Sequence, residues 1–320
     1  MILSENKIGM EGREAMGECK KEMYFIGVST QNSIINNIFP KWMEVLGYNI
    51  QLCGINIPLN ASANIYQECA EKIKSSDNIL GALVTTHKIA MYHSAKDIFD
   101  ILSESAKEFK EIGAIYKREA GMYGEATDII SVNSAFQSIF DKVNISNSDI
   151  CILGCGGAGV ALGYVILKHY NLRINRIIMT DTNMARLSQA SKVLSMYDLN
   201  YKLNLVHVNS IKDNNDIINS LKRRSFIINA TGMGKDVQGA PISNEVDFPS
   251  GSCIWEYNYR GNLEFIDIAK EQAAEKQLMI YNGFEYFIYG WTTVISRVLN
   301  IDIKKSTFDK LANIALKEYI

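Results

Sequence analysis

A chain of 320 residues, 47% of them hydrophobic, is long enough to bury two cores. Its 33 Lys and Arg against 35 Asp and Glu leave a net charge of −2, which excludes the strongly basic face of a nucleic-acid binder. No apolar run reaches the length of a membrane span and no signal-peptide core opens the chain, so a cytoplasmic protein without membrane or nucleic-acid partners is expected.

Residues 1–22 are charged and aperiodic and read as a flexible extension, with the fold starting at Met23. Residues 24–28 read as a strand, 34–45 as a helix broken near Pro40, 50–57 as a strand, 61–74 as a helix and 79–84 as a third strand. This alternation predicts an α/β domain with a mostly parallel sheet over residues 23–128, its third strand followed by a loop that holds Thr85, Thr86, His87 and Lys88.

Residues 129–282 repeat the alternation, with strands near 150–153, 177–180, 203–207, 226–229, 253–257 and 278–281. After the first of these comes Gly154-Cys155-Gly156-Gly157-Ala158-Gly159, a Gly-x-Gly-x-x-Gly turn between an apolar strand and a helical pattern. Gly154 suits the tight turn, Gly156 lets the backbone approach a pyrophosphate, and Gly159 lets helix and sheet pack closely. The next strand ends at Asp181-Thr182, where a carboxylate accepts hydrogen bonds from a ribose 2′-hydroxyl and repels a 2′-phosphate. A doubly wound Rossmann domain binding NAD is therefore expected; Arg186, the nearby cation, is the one feature that would favour NADP. Asn229-Ala230-Thr231 ends the fourth strand at the ligand-binding edge. Its backbone is expected beside the nicotinamide ribose, unless the Asn229 and Thr231 side chains simply brace the turn.

Residues 283–320 are helical by pattern, with Phe287, Ile288, Trp291, Val294, Ile295 and Val298 on one face, and are expected to pack back on the first domain. The six cysteines form no C-x-x-C pair and read as reduced, buried thiols; Cys155, inside the glycine turn, is the one whose exposure would make it oxidation-sensitive. The four histidines do not cluster, and no metal site is expected.

Lys88 closes Leu83-Val84-Thr85-Thr86-His87-Lys88, and Asp128 closes Gly124-Glu125-Ala126-Thr127-Asp128. In this order with Gly154 to Ala158, Asn229-Ala230-Thr231-Gly232-Met233-Gly234 and Asn282-Gly283-Phe284, the chain resembles the shikimate dehydrogenase family from about Met23 to its end. The resemblance implies two domains, hydride transfer between a nicotinamide and a hydroxyl-bearing ring carbon, and Lys88 and Asp128 as the catalytic pair. It adds Gly157, Ala158 and Gly283 to a cofactor set of Gly154, Gly156, Gly159, Asp181, Thr182, Asn229 and Thr231.

The chain departs from the family pattern around the substrate. Gln31-Asn32-Ser33 stands at Ser-x-Ser, Tyr116 and Ala126 replace asparagines, and Gly290 or Trp291 stands at a glutamine, whereas Tyr259 is retained. Ser33, Thr85, Tyr116 and Tyr259 are the expected pocket residues, with Tyr116 reading equally as a packed strand-end aromatic. A site that exchanges its hydrogen-bonding groups selects a different ligand, so a small hydroxy acid other than shikimate itself is expected, bound by a monomer or homodimer. A nucleotide-binding sensor with a drifted pocket is the alternative; the pairing of Lys88 with Asp128 argues against it. Folate-linked methylene dehydrogenases lack the Gly-x-x-Thr-Asp element.

Overall fold

A computed structural model describes residues 20–143, 147–235 and 237–319; residues 1–19, most of the expected extension, and Cys19 lie outside it. The first half comprises β1 (Lys21–Gly27), α1 (Ile35–Leu46), β2 (Ile50–Asn56), α2 (Ala63–Ser75), β3 (Ile79–Val84), α3 (Lys88–Ala95), β4 (Ile101–Leu102), α4 (Glu104–Phe109), β5 (Ala114–Arg118) and β6 (Gly121–Glu125). The second comprises α5 (Asp128–Phe140), β7 (Ser148–Leu153), α6 (Gly157–Val165), β8 (Ile174–Asp181), α7 (Met184–Leu194), β9 (Leu203–His207), α8 (Ile211–Asn219), β10 (Phe226–Asn229), β11 (Cys253–Glu256), α9 (Glu264–Lys276) and β12 (Met279–Tyr281). Two helices close the chain, α10 (Phe284–Leu299) and α11 (Lys305–Tyr319).

The first sheet runs β2-β1-β3-β5-β6-β4. β1 pairs in parallel with β2 and β3, and β4 with β6; β5 alone runs against the others, between β3 and β6, so the sheet is mostly parallel with one antiparallel strand. Lys21 and Glu22 already belong to β1, two residues ahead of the expected start. Helix α1 continues unbroken past Pro40. It buries Ile35, Ile38, Phe39, Trp42 and Met43 on one side, and this packing outweighs the hydrogen bond that proline cannot donate.

The second sheet runs β12-β11-β10-β7-β8-β9, every pair parallel, which is the doubly wound order with β7 at its centre. All six residues of β7 are buried, as a strand covered on both faces requires. The chain crosses from the first sheet to the second through α5, whose Phe136 packs on Phe226 and Trp255. It returns through α10. That helix puts Phe284, Ile288, Trp291 and Ile295 into the first core with Phe25 and Trp42, while Tyr286 and Tyr289 pack on the second. Leu311 and Ala315 of α11 complete the first core.

Candidate active site

A cavity of about 1000 Å³ opens between the two sheets, lined on one side by Ile89, His93 and Glu111 and on the other by Gly154, Gly156, Asp181 and Thr231. Gly154 adopts φ +104°, and a Cβ there would lie 2.9 Å from the Ala230 backbone, so glycine is required by both conformation and space. A Cβ on Gly159 would stand 2.0 Å from the Gly154 carbonyl oxygen, which fixes how closely α6 approaches β7. Gly156 has open space where a side chain would be. As the N-cap of α6 it supplies no capping side chain, so the first-turn N–H groups of the helix face the cavity. An anion-receiving helix start, a roomy cleft and a carboxylate at its far wall fit a dinucleotide.

That carboxylate, Asp181, is 7% exposed and lines the cavity. One of its oxygens accepts from the Cys155 N–H at 2.9 Å and the other from the Asn183 N–H at 2.8 Å. Arg186 stands 3.9 Å from it and is largely exposed. Thr182, Gly157 and Thr231 also line the cavity. Gly159 acts through packing, and Ala158 lies beside it in the first turn of α6. Asn229 is fully buried and turned away: its amide donates to Glu256 at 2.5 Å, and its oxygen accepts from the Thr231 hydroxyl at 2.6 Å and N–H at 3.1 Å. The Asn229 side chain thus braces the turn, and only Thr231 reaches the cavity. Gly283 sits at the start of α10, where a Cβ would meet the Tyr257 carbonyl at 1.8 Å; its role in the structure is close packing.

Lys88, the first residue of α3, and Asp128, the first of α5, come together across the mouth of the first sheet, the ammonium donating to both carboxylate oxygens. Both side chains remain about one-fifth exposed, 21% and 18%. Burial works against the lysine's charge, but Asp128 and Glu111 outweigh it and hold its pKa above the ordinary value. Gly113 allows this meeting, since its Cα hydrogens face the Lys88 side chain and the Thr127 hydroxyl. His87, next to Lys88, is structural: it is 3% exposed, with one ring nitrogen on the Tyr66 hydroxyl and the other on the Ile57 carbonyl.

Glu111 is the site residue that sequence reasoning missed. It is 8% exposed, and its carboxyl lies 3.9 Å from where a Cβ of Gly157 would be. Burial first, then the Asp128 charge, push its pKa up to about 7 against the pull of Lys88.

Among the expected substrate residues, Ser33 and Tyr259 are brought near each other, the Ser33 side chain easing the rise that burial gives the Tyr259 pKa, and Thr85 donates its hydroxyl to the Ile26 carbonyl at 3.3 Å. Tyr116 is placed elsewhere. Its ring stacks on Tyr123 of β6 at 5.2 Å, with the Arg118 guanidinium 4.6 Å from the ring centre, and burial and the charge of Glu125, which Arg297 holds at 2.8 Å, push its hydroxyl up to about 12. It is the packed strand-end aromatic. Cys155 is 4% exposed and burial pushes its thiol up to about 12, which removes the thiolate an oxidation-sensitive site needs.

No protein-family model matches the chain. The shikimate dehydrogenase (NADP(+)) of Streptococcus gordonii is 25% identical over 225 residues, 66% of this chain and 72% of that enzyme. The shikimate dehydrogenase (NADP(+)) of Acinetobacter baumannii strain AYE is 24% identical over 173 residues, so that the match spans 60% of that relative's length and 54% of this chain. Among solved structures, the quinate dehydrogenase of Corynebacterium glutamicum in complex with NAD superposes with a TM-score of 0.72 at 14% identity, covering 93% of this chain and 99% of that one. At that identity the superposition establishes the fold, which is the two-domain arrangement described above.

Proposed function

Taking the chain as a shikimate dehydrogenase-like protein, we propose that it transfers a hydride between a nicotinamide dinucleotide, NAD in preference to NADP, and a hydroxyl-bearing ring carbon of a small carboxylated or polyol substrate. The observation that carries this reading is the Lys88–Asp128 pair beside a cavity built on the glycine turn. The first turn of α6 would hold the pyrophosphate, Asp181 and Thr182 the adenosine ribose, and Thr231 the far end of the cofactor. When bound, the dinucleotide supplies the hydride acceptor or donor.

The protein supplies the proton chemistry. Oxidising an alcohol requires its hydroxyl proton to leave as the hydride leaves its carbon, and a fixed ammonium within reach lowers the energy of the negative charge that proton loss builds on the oxygen. Asp128 gives Lys88 one position and keeps it charged, and in the reducing direction the same ammonium donates its proton to the carbonyl oxygen. Ser33 and Tyr259 offer neighbouring hydroxyls to a carboxylate or hydroxyl of the substrate. The NAD preference rests on Asp181, whose charge at the cavity wall opposes a 2′-phosphate.

A panel of cyclic and acyclic hydroxy acids, shikimate and quinate included, followed for reduction of NAD and NADP in parallel, tests the reading. NAD reduction with at least one cyclic hydroxy acid is expected. Lys88→Ala is expected to lower that turnover by about 10²–10⁴-fold while dinucleotide binding stays near the unmodified value; full turnover in this variant would remove the assignment.

A further inference from the structure

Lys88, Asp128 and Glu111 carry two negative charges and one positive if all are ionised, and the two tyrosines that feel the Asp128 charge, Tyr257 and Tyr286, cannot take up the imbalance. Tyr257 is 8% exposed, and its hydroxyl has no hydrogen-bond partner among the described residues. Burial and the Asp128 charge keep both it and Tyr286 protonated. Asp128 is committed to Lys88 through both oxygens. The Glu111 carboxyl accepts no hydrogen bond from a described residue, faces Gly157 of the glycine turn and lines the cofactor cavity, as do its neighbour Lys110 and His93 of α3.

We propose that Glu111 is a third proton-bearing residue of this site, placed between the Lys88–Asp128 pair and the glycine turn, whose proton occupancy follows the charge state of the dinucleotide in the cavity. The inference rests on the dinucleotide reading above. An oxidised nicotinamide cofactor brings a positive charge into this site and the reduced form does not. Binding of the oxidised form therefore ionises Glu111 and releases its proton to solvent, whereas the reduced form leaves the carboxyl protonated. During alcohol oxidation the hydride goes to the cofactor. The hydroxyl proton leaves the substrate by way of Lys88, and Glu111 takes up one proton in the same step; with the positive charge of the nicotinamide cancelled by the hydride, the net charge of the site would be unchanged.

Calorimetric titration of the full chain with NAD⁺ and NADH, and with NADP⁺ and NADPH, in two buffers of different ionisation enthalpy near pH 7 reads the proton directly. Proton release on binding the oxidised form of whichever pair binds, none on binding the reduced form, and loss of the release in Glu111→Gln are expected. The oxidised cofactor's Kd should tighten by up to about tenfold per unit as pH rises toward neutrality in the unmodified chain and stay flat in the variant. Binding of the oxidised form with no buffer dependence overturns the proposal and leaves the dehydrogenase reading intact. The same release in Glu111→Gln does likewise. Failure of all four dinucleotides to bind overturns both. The comparison of oxidised with reduced cofactor in the unmodified chain decides the matter even where the variant folds poorly.

Discussion

A glutamate ordinarily ionises near 4.5, and Glu111 is held up to about 7. Between those values the folded chain keeps a proton that the unfolded chain has already lost, so stability falls as pH rises through this window and stays lower above it. Glu111→Gln removes that loss. In denaturant unfolding the variant should match the unmodified chain near pH 4.5 and exceed it by about 1–3 kcal/mol near pH 8; equal stabilities at both would show that the carboxyl ionises normally. Lys88 and Asp128 were legible in the sequence because each ends a short local motif. Glu111 was not, because it follows Glu104, Lys107, Glu108 and Lys110 and reads as one more solvated charge. What turns it inward is the left-handed conformation of Lys110 at the end of α4, φ 53°, followed by the buried Ile112. Tyr116 shows the converse. Its reading as a packed strand-end aromatic was open from the sequence, but Ala114 and Tyr116 share the strand face that α10 covers, which no local motif records.

At the scale of elements, the glycine turn separates two kinds of glycine. Gly159→Ala drives a methyl into the Gly154 carbonyl and is expected to cost about 1–3 kcal/mol of stability by forcing α6 away from β7. Gly156→Ala meets open space and normal backbone angles, so stability should change by less than about 0.5 kcal/mol. Its methyl nevertheless occupies the approach to the α6 N–H groups, so dinucleotide affinity should drop while the melting curve does not move. Unfolding curves and cofactor titrations on the two variants check both halves. The second sheet was legible strand by strand because each strand is an apolar run with one orientation. The first was only half legible, since β5 and β6 carry Lys117, Arg118 and Tyr123 and are joined through Gly121 at φ 120°, which conceals a hairpin in a polar stretch.

For the whole molecule, Tyr319 at the end of α11 joins the two halves. The Tyr319 hydroxyl donates to the Tyr259 carbonyl at 2.7 Å and accepts from the Asn282 amide at 3.2 Å, tying α11 to the loop after β11 and to the end of β12. Tyr319→Phe keeps the ring stacked on Phe284 at 4.2 Å and removes only these bonds. A loss of about 1–2 kcal/mol is expected, with faster amide exchange at residues 257–261; unchanged exchange there would show that the ring alone holds the helix.

The chain passes between its two sheets at α5 and α10, and those crossings begin at Asp128 and beside Gly283. Tyr286, one turn into α10, senses the charge of Asp128. The proposed reacting pair, through Asp128, therefore sits at the pivot of any swing that widens the cleft. A rotation large enough to admit a dinucleotide past Arg186 and Ile211 displaces the outer walls most and the Lys88–Asp128 pair least. The lever arm at the chemistry is close to zero, and the proton-handling geometry survives each opening without having to be rebuilt.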